Sequence, residues 1–169
     1  MRKLLALAAL LVLGASNVWA GGITGTQSPS TPFRITAEVY NDSGSALTSG
    51  TVVIWDNDDT EFDENGYPYV TTSTTVDDDW TAGVILDNNC PAASMCQIVV
   101  YGPAFVNLAD STDAVTEDTA ISTSSVAGMA GDDGAGANTC QLGILMIELG
   151  GSSGNDGARG VVFVNPTCT

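Results

Sequence analysis

The chain has 169 residues, with 20 acidic side chains against 4 basic ones and no histidine. Two of the four basic residues, Arg2 and Lys3, precede a long apolar run at the N-terminus; without that segment the carboxylates face only Arg34 and Arg159, a net charge of −18 (2 − 20). These counts exclude histidine-dependent hydrolases, His-ligated zinc or haem and a P-loop lysine, and they argue against nucleic acid as a partner, because affinity for phosphate comes from Lys and Arg.

Residues 1–20, MRKLLALAALLVLGASNVWA, have a basic start, an apolar stretch from Leu4 to Leu13 and a small-residue end. Val18 and Ala20 stand at the minus-three and minus-one positions of a cleavage site before Gly21. That is the layout of a secretory signal peptide. A membrane anchor fits less well, since a span needs about 20 apolar residues. The mature chain is therefore expected to be secreted, extracellular or at the cell surface, without membrane insertion. Residues 21–32, GGITGTQSPSTP, hold one apolar residue, Ile23, and read as a flexible N-terminal arm. The alternative is an arm that orders against a neighbouring subunit.

Residues 33–169 read as one β domain. Phe33 to Tyr40 alternates apolar Phe33, Ile35, Ala37 and Val39 with Arg34, Thr36, Glu38 and Tyr40. A Ser-, Asp- and Gly-rich turn follows to Gly50. Thr51 to Asp56 is an apolar, β-branched run suited to a buried strand, with Trp55 in the core. Tyr67 to Val76 and Ala82 to Leu86 are further strand candidates. Gln97 to Leu108 looks like two strand pieces broken by Gly102 and Pro103, and Ala120 to Thr123 is a weaker signal. Leu142 to Leu149 and Gly160 to Asn165 complete about eight short strands, separated by Gly, Asn, Asp or Pro. Gly128 to Gly136 and Gly150 to Gly160 read as mobile loops. No helical period persists after the signal, and no repeat of 20–50 residues is evident. The expected fold is all-β, a single β-barrel or β-sandwich.

Cys90, Cys96, Cys140 and Cys168 all lie in the exported part, where an even count favours disulfides. Of three possible pairings, Cys90–Cys96 with Cys140–Cys168 is preferred. The first pair encloses only a turn from Pro91 to Met95, and the second would tie the end of the chain to the strand starting near Gln141.

The densest acidic segment, Asp56 to Gly66, carries Asp56, Asp58, Asp59, Glu61, Asp63 and Glu64. Crowded hard oxygen ligands on one loop suit calcium, although EF-hand spacing fails: Glu61 stands at the turn-glycine position and Tyr67 at that of the closing Glu. Asp77 to Asp79 and Asp132 with Asp133 form two smaller clusters. The competing reading of all three is solvated turns. No pair among the carboxylates is singled out for glycosidase chemistry. Asp110-Ser111-Thr112 lacks the glycine and the second copy of an aspartic protease. The chain therefore reads as a non-enzyme that requires no cofactor, with calcium as the candidate ion.

SGTVVIWD (Ser49 to Asp56), TAGVILDN (Thr81 to Asn88) and QIVVYGPAFV (Gln97 to Val106) together resemble small β-barrel structural proteins of tailed bacteriophages, of the head-decoration and fibre-associated type. Asp118 to Ile121, Gly128 to Ala130, Gln141 to Glu148 and the final GVVFV continue the likeness, which covers roughly Leu47 to Val164. It implies a barrel that packs into repetitive assemblies without catalysis. The signal peptide and the cysteines depart from that type and favour a barrel used outside the cell. The expectation is an exported structural protein that self-assembles with copies of itself into an extracellular filament, sheath or surface layer. The alternatives are a calcium-dependent, adhesin-like secreted binding module and a small carbohydrate-active enzyme.

Overall fold

A computed structural model describes residues 33–57, 66–109, 118–132, 140–149 and 158–168. The signal segment 1–20, the arm 21–32, five of the six acidic-loop residues (Asp58, Asp59, Glu61, Asp63 and Glu64) and Asp110 to Thr112 lie outside the described residues.

The described elements are all strands: β1 (Ile35–Asn41), β2 (Val52–Trp55), β3 (Tyr69–Thr71), β4 (Thr81–Ile85), β5 (Met95–Leu108), β6 (Ala120–Thr123), β7 (Ala130–Asp132), β8 (Cys140–Leu149) and β9 (Ala158–Cys168). The expected all-β fold is present, with three differences in its elements. The Tyr67 to Val76 segment contributes only the three residues of β3. β7 lies inside the Gly128 to Gly136 stretch that composition marks as a loop. Gln97 to Leu108 does not break at Gly102-Pro103 but runs through as part of the 14-residue β5.

Strand pairing closes two rings of five strands that share β5. In the first, β1 pairs with β3 in parallel, and β3–β2, β2–β4, β4–β5 and β5–β1 are antiparallel. In the second, β5 pairs with β7 in parallel, and β7–β6, β6–β8, β8–β9 and β9–β5 are antiparallel. Counted from its own first strand, each ring has the same order and the same directions. The fold therefore repeats one topology, with a unit longer than the window in which no sequence repeat is evident.

Sharing β5 explains why the expected break is a bend. Up to Tyr101 the strand pairs with β1 and β4; from Gly102 to Leu108 it pairs with β9 and, at its end, with β7. Gly102 has φ +101°, where a side chain is strained, and an added Cβ would collide with the Phe33 carbonyl oxygen. Glycine permits the change of direction and the close approach of the β1 entry. Pro103 continues the strand opposite Phe163.

Each ring has its own core. Val39, Val53, Val70, Ile85 and Ile98 fill the first, with Trp55 half-buried against them. Val106, Leu108, Ile121, Leu142, Leu145, Val162 and Val164 fill the second. Val52, Val84 and Val99, on strands of the first ring, belong to this second cluster. β4 is thus covered on both faces, and all five of its residues are buried. Its unbroken apolar run follows from that double burial.

At one end of the first ring the expected Cys90–Cys96 disulfide is present, with its Cα atoms 5.6 Å apart. Fully buried Asn41 fastens the same end. Its Nδ2 donates to the carbonyls of Ser45 (2.8 Å), Cys90 (3.0 Å) and Pro91 (3.0 Å), and its Oδ1 accepts from the Ser43 amide and hydroxyl. In the second ring Cys140 is disulfide-bonded, and the β8–β9 register places it opposite Cys168.

Candidate functional site

Inward positions of a closed sheet form the core, and outward positions ordinarily carry polar side chains. On β5, β9 and β8 of the second ring most do not. Register aligns Pro103, Phe163 and Ile144 across the three strands, then Phe105, Val161 and Ile147, then Asn107, Arg159 and Leu149. The alternating inward residues Ala104, Val106, Val162, Val164 and Leu145 are buried. Met146 is the extra residue where the β8 register shifts between Leu145 and Ile147, and it too faces outward. Phe105, Ile144, Met146, Ile147 and Leu149 are each between 44% and 50% exposed.

An aromatic series extends this face towards the start of β1. Phe163 meets Tyr101 edge-on at 5.1 Å, and Tyr101 meets Phe33 edge-on at 6.2 Å. Such contacts hold the rings in fixed orientations while leaving their outer surfaces to solvent. Gly143 sets the close approach of β8 to β9 beneath Phe163, where an added Cβ would collide with the Phe163 carbonyl oxygen. In the three register rows the one ionised side chain is Arg159, in a chain dominated by carboxylates. The result is a three-stranded, apolar, charge-poor face. Contiguous apolar patches beyond a few hundred Å² mark contact surfaces.

The acidic clusters do not build a comparable site among the described residues. Asp56 donates its backbone N–H to the Tyr69 carbonyl at 3.0 Å; the rest of its proposed calcium set lies outside the described residues. In the second cluster each carboxylate is engaged separately. Asp77 accepts from the Ser122 hydroxyl, and Asp78 accepts from the Ser73 hydroxyl at 2.6 Å and the Trp80 amide at 3.0 Å. One carboxylate oxygen of Asp79 lies 3.5 Å from the Cys140 sulfur. These contacts fasten the turn before β4 onto β6, to which the Asp78 amide also donates through Thr123 Oγ1 at 2.8 Å. Among the described residues, no three His, Cys, Asp or Glu side chains are grouped to hold a metal ion.

An open depression of about 470 Å³ beside the first ring is lined by Glu38, Tyr67, Asp87, Met95, Cys96 and Gln97. Its Asp87 carboxylate accepts the Gln97 amide at 2.7 Å. Glu38 and Gln97 are a cross-strand pair.

No protein-family model matches the chain, and no curated protein does. Among solved structures it is similar to the head fibre gp8.5 N base of bacteriophage phi29, at 11% sequence identity and a TM-score of 0.46, over 77% of this chain and 94% of that one.

The apolar face was not assigned from sequence. Its signal was present in LGILMIEL, which is apolar at both strand parities. Such a run fits either a strand buried on both sides or one with an exposed apolar side. β4 is the first kind and β8 the second.

Proposed function

We propose that this chain is an exported, non-enzymatic structural protein that self-assembles into an extracellular filament, sheath or surface layer, with copies of itself as partners. The observation that carries this reading is the apolar outer face of β5, β9 and β8. Burying such a face in a contact recovers roughly 25 cal/mol per Å² of apolar surface removed from water, before the costs of association. A protein that works alone in water gains nothing from presenting it.

The charge sets the conditions. At −18 per mature chain, copies repel one another, and the repulsion weakens as salt shortens the Debye length from about 30 Å at 0.01 M to about 8 Å at 0.15 M. Calcium, bound as a counterion by carboxylates such as those of Asp56 to Glu64, would act at lower concentration. The test is sedimentation and negative-stain electron microscopy of the exported protein in low salt, in physiological salt, and with calcium or a chelator. Regular particles that dissociate in low salt are expected. Monomers under every condition would refute self-assembly.

A further inference from the structure

We infer that the assembly contact is made face to face, the β5–β9–β8 surface of one mature chain packing on the same surface of a second copy, and not by strand addition. This rests on the self-assembly reading above and specifies its contact.

Strand addition needs a sheet edge with unpaired backbone groups. Every described strand has a neighbour on both sides over at least part of its length. β1 lies between β3 and β5, β2 between β3 and β4, β6 between β7 and β8, and β9 between β8 and β5. At the face itself β9 is paired on both sides from Arg159 to Val164, so side chains are what it offers to a partner there.

The chain's own remaining sequence is poorly suited to cover the face. Outside the described stretches, the mature sequence holds three large apolar residues, Ile23, Phe62 and Val115, among Gly, Ser, Thr, Ala, Pro, Asn, Gln and acidic residues. The segment leading directly to Phe33, at the margin of the face, is GGITGTQSPSTP. These stretches supply little apolar surface to match the face.

A second copy matches the face on area and on charge. The large side chains of the face together with Phe33 and Tyr101, between 36% and 54% exposed, present roughly 600 Å² on the scale of 150–250 Å² for a large side chain. That approaches the roughly 800 Å² per partner of a standard interface. Self-association through any carboxylate-rich surface would bring like charges together, whereas the three register rows carry only Arg159. A two-fold contact sets apolar rows on apolar rows and closes at a dimer. Larger arrays would grow from that dimer through other surfaces.

The test compares wild-type exported protein with Phe105→Asp, Ile144→Asp and the milder Met146→Ser by analytical ultracentrifugation at 0.15 M and 0.5 M salt. Circular dichroism checks that each variant folds. Thr36→Asp, exposed on the first ring, is the control. The wild type and the control should form dimers or larger species, and the two aspartate variants should raise the dissociation constant at least a hundredfold. Met146→Ser should raise it several-fold, which keeps the test decisive if an aspartate variant does not fold. Folded face variants that associate like wild type would overturn the face-to-face contact and leave self-assembly standing. A wild type that is monomeric throughout, or that associates only with a different protein or with lipid, would overturn both.

Discussion

The two rings repeat one strand order, yet they handle their outer surfaces differently. On the first ring, Thr36, Glu38 and Gln97 face solvent, and one of its apolar strands, β4, is covered from both sides. On the second ring, β8 has a similar apolar run with one side uncovered. The same topology therefore serves two ends. The first ring contributes a doubly buried strand to the middle of the molecule, and the second turns the same kind of sequence into a surface. An apolar strand is defined by what lies over it, and here β4 is covered by the second core, which includes Val84.

The strongest way to break this arrangement is at the bend in β5. Gly102→Val would put a β-branched side chain at φ +101° and drive its Cβ into the Phe33 carbonyl. A cost of about 3 kcal/mol or more is expected, from backbone strain plus the displaced β1 entry. Because β5 belongs to both rings and the second core includes Val52, Val84 and Val99, both rings should weaken together. Amide hydrogen exchange at Val39 and Leu142 reads each ring separately. Loss of protection in one ring alone would show that they fold independently.

Much of this fold is legible in the sequence, and the exceptions share a cause. Alternation marks β1, short apolar runs bounded by Gly or Asn mark β2, β4, β8 and β9, and β6 gives a weaker signal. These are local signals. The Gly102-Pro103 step looks like a break because each residue weakens a strand locally; only the change of partners from β1 and β4 to β9 explains why the strand continues. β7 is Ala-Gly-Asp, without a strand-forming side chain, and exists through its pairing with β6 and β5. Ring closure, the duplicated topology and the difference between β4 and β8 all depend on distant segments. Composition draws attention to the acidic turns, whereas the apolar face needs the register of three strands before it can be seen.

The cysteines offer a finer comparison. Removing the first-ring disulfide by Cys90→Ser with Cys96→Ser opens a short loop and should cost about 2 kcal/mol in the chain-entropy model. In the second ring, closure between Cys140 and Cys168 spans a longer loop, and Cys140→Ser with Cys168→Ser should cost about 3.5 kcal/mol. Guanidinium unfolding of the two double variants measures the difference, and non-reducing peptide mapping tests the pairing itself. A smaller loss in the second ring would mean that loop closure there is offset by native strain. A crossed pairing would remove the basis of the comparison.

The smallest expected change in stability is the most telling about the surface. Ile144 and Leu145 are adjacent on β8, but Ile144 is 50% exposed and Leu145 is fully buried. Leu145→Ala should cost about 2–5 kcal/mol by leaving a cavity among Leu142, Val162 and Val164. Ile144→Thr keeps a β-branched side chain on the strand and should change monomer stability by less than about 0.5 kcal/mol. Its effect should instead appear in association, measured by sedimentation under conditions where the monomer is folded. If Ile144→Thr destabilised the monomer as strongly as Leu145→Ala, the outer side of β8 would be covered within the same chain. If it left both stability and association unchanged, the face would have no part in assembly. Stability maintained with association lost would separate the two sides of one strand: one holds the second ring together, and the other joins it to a second copy.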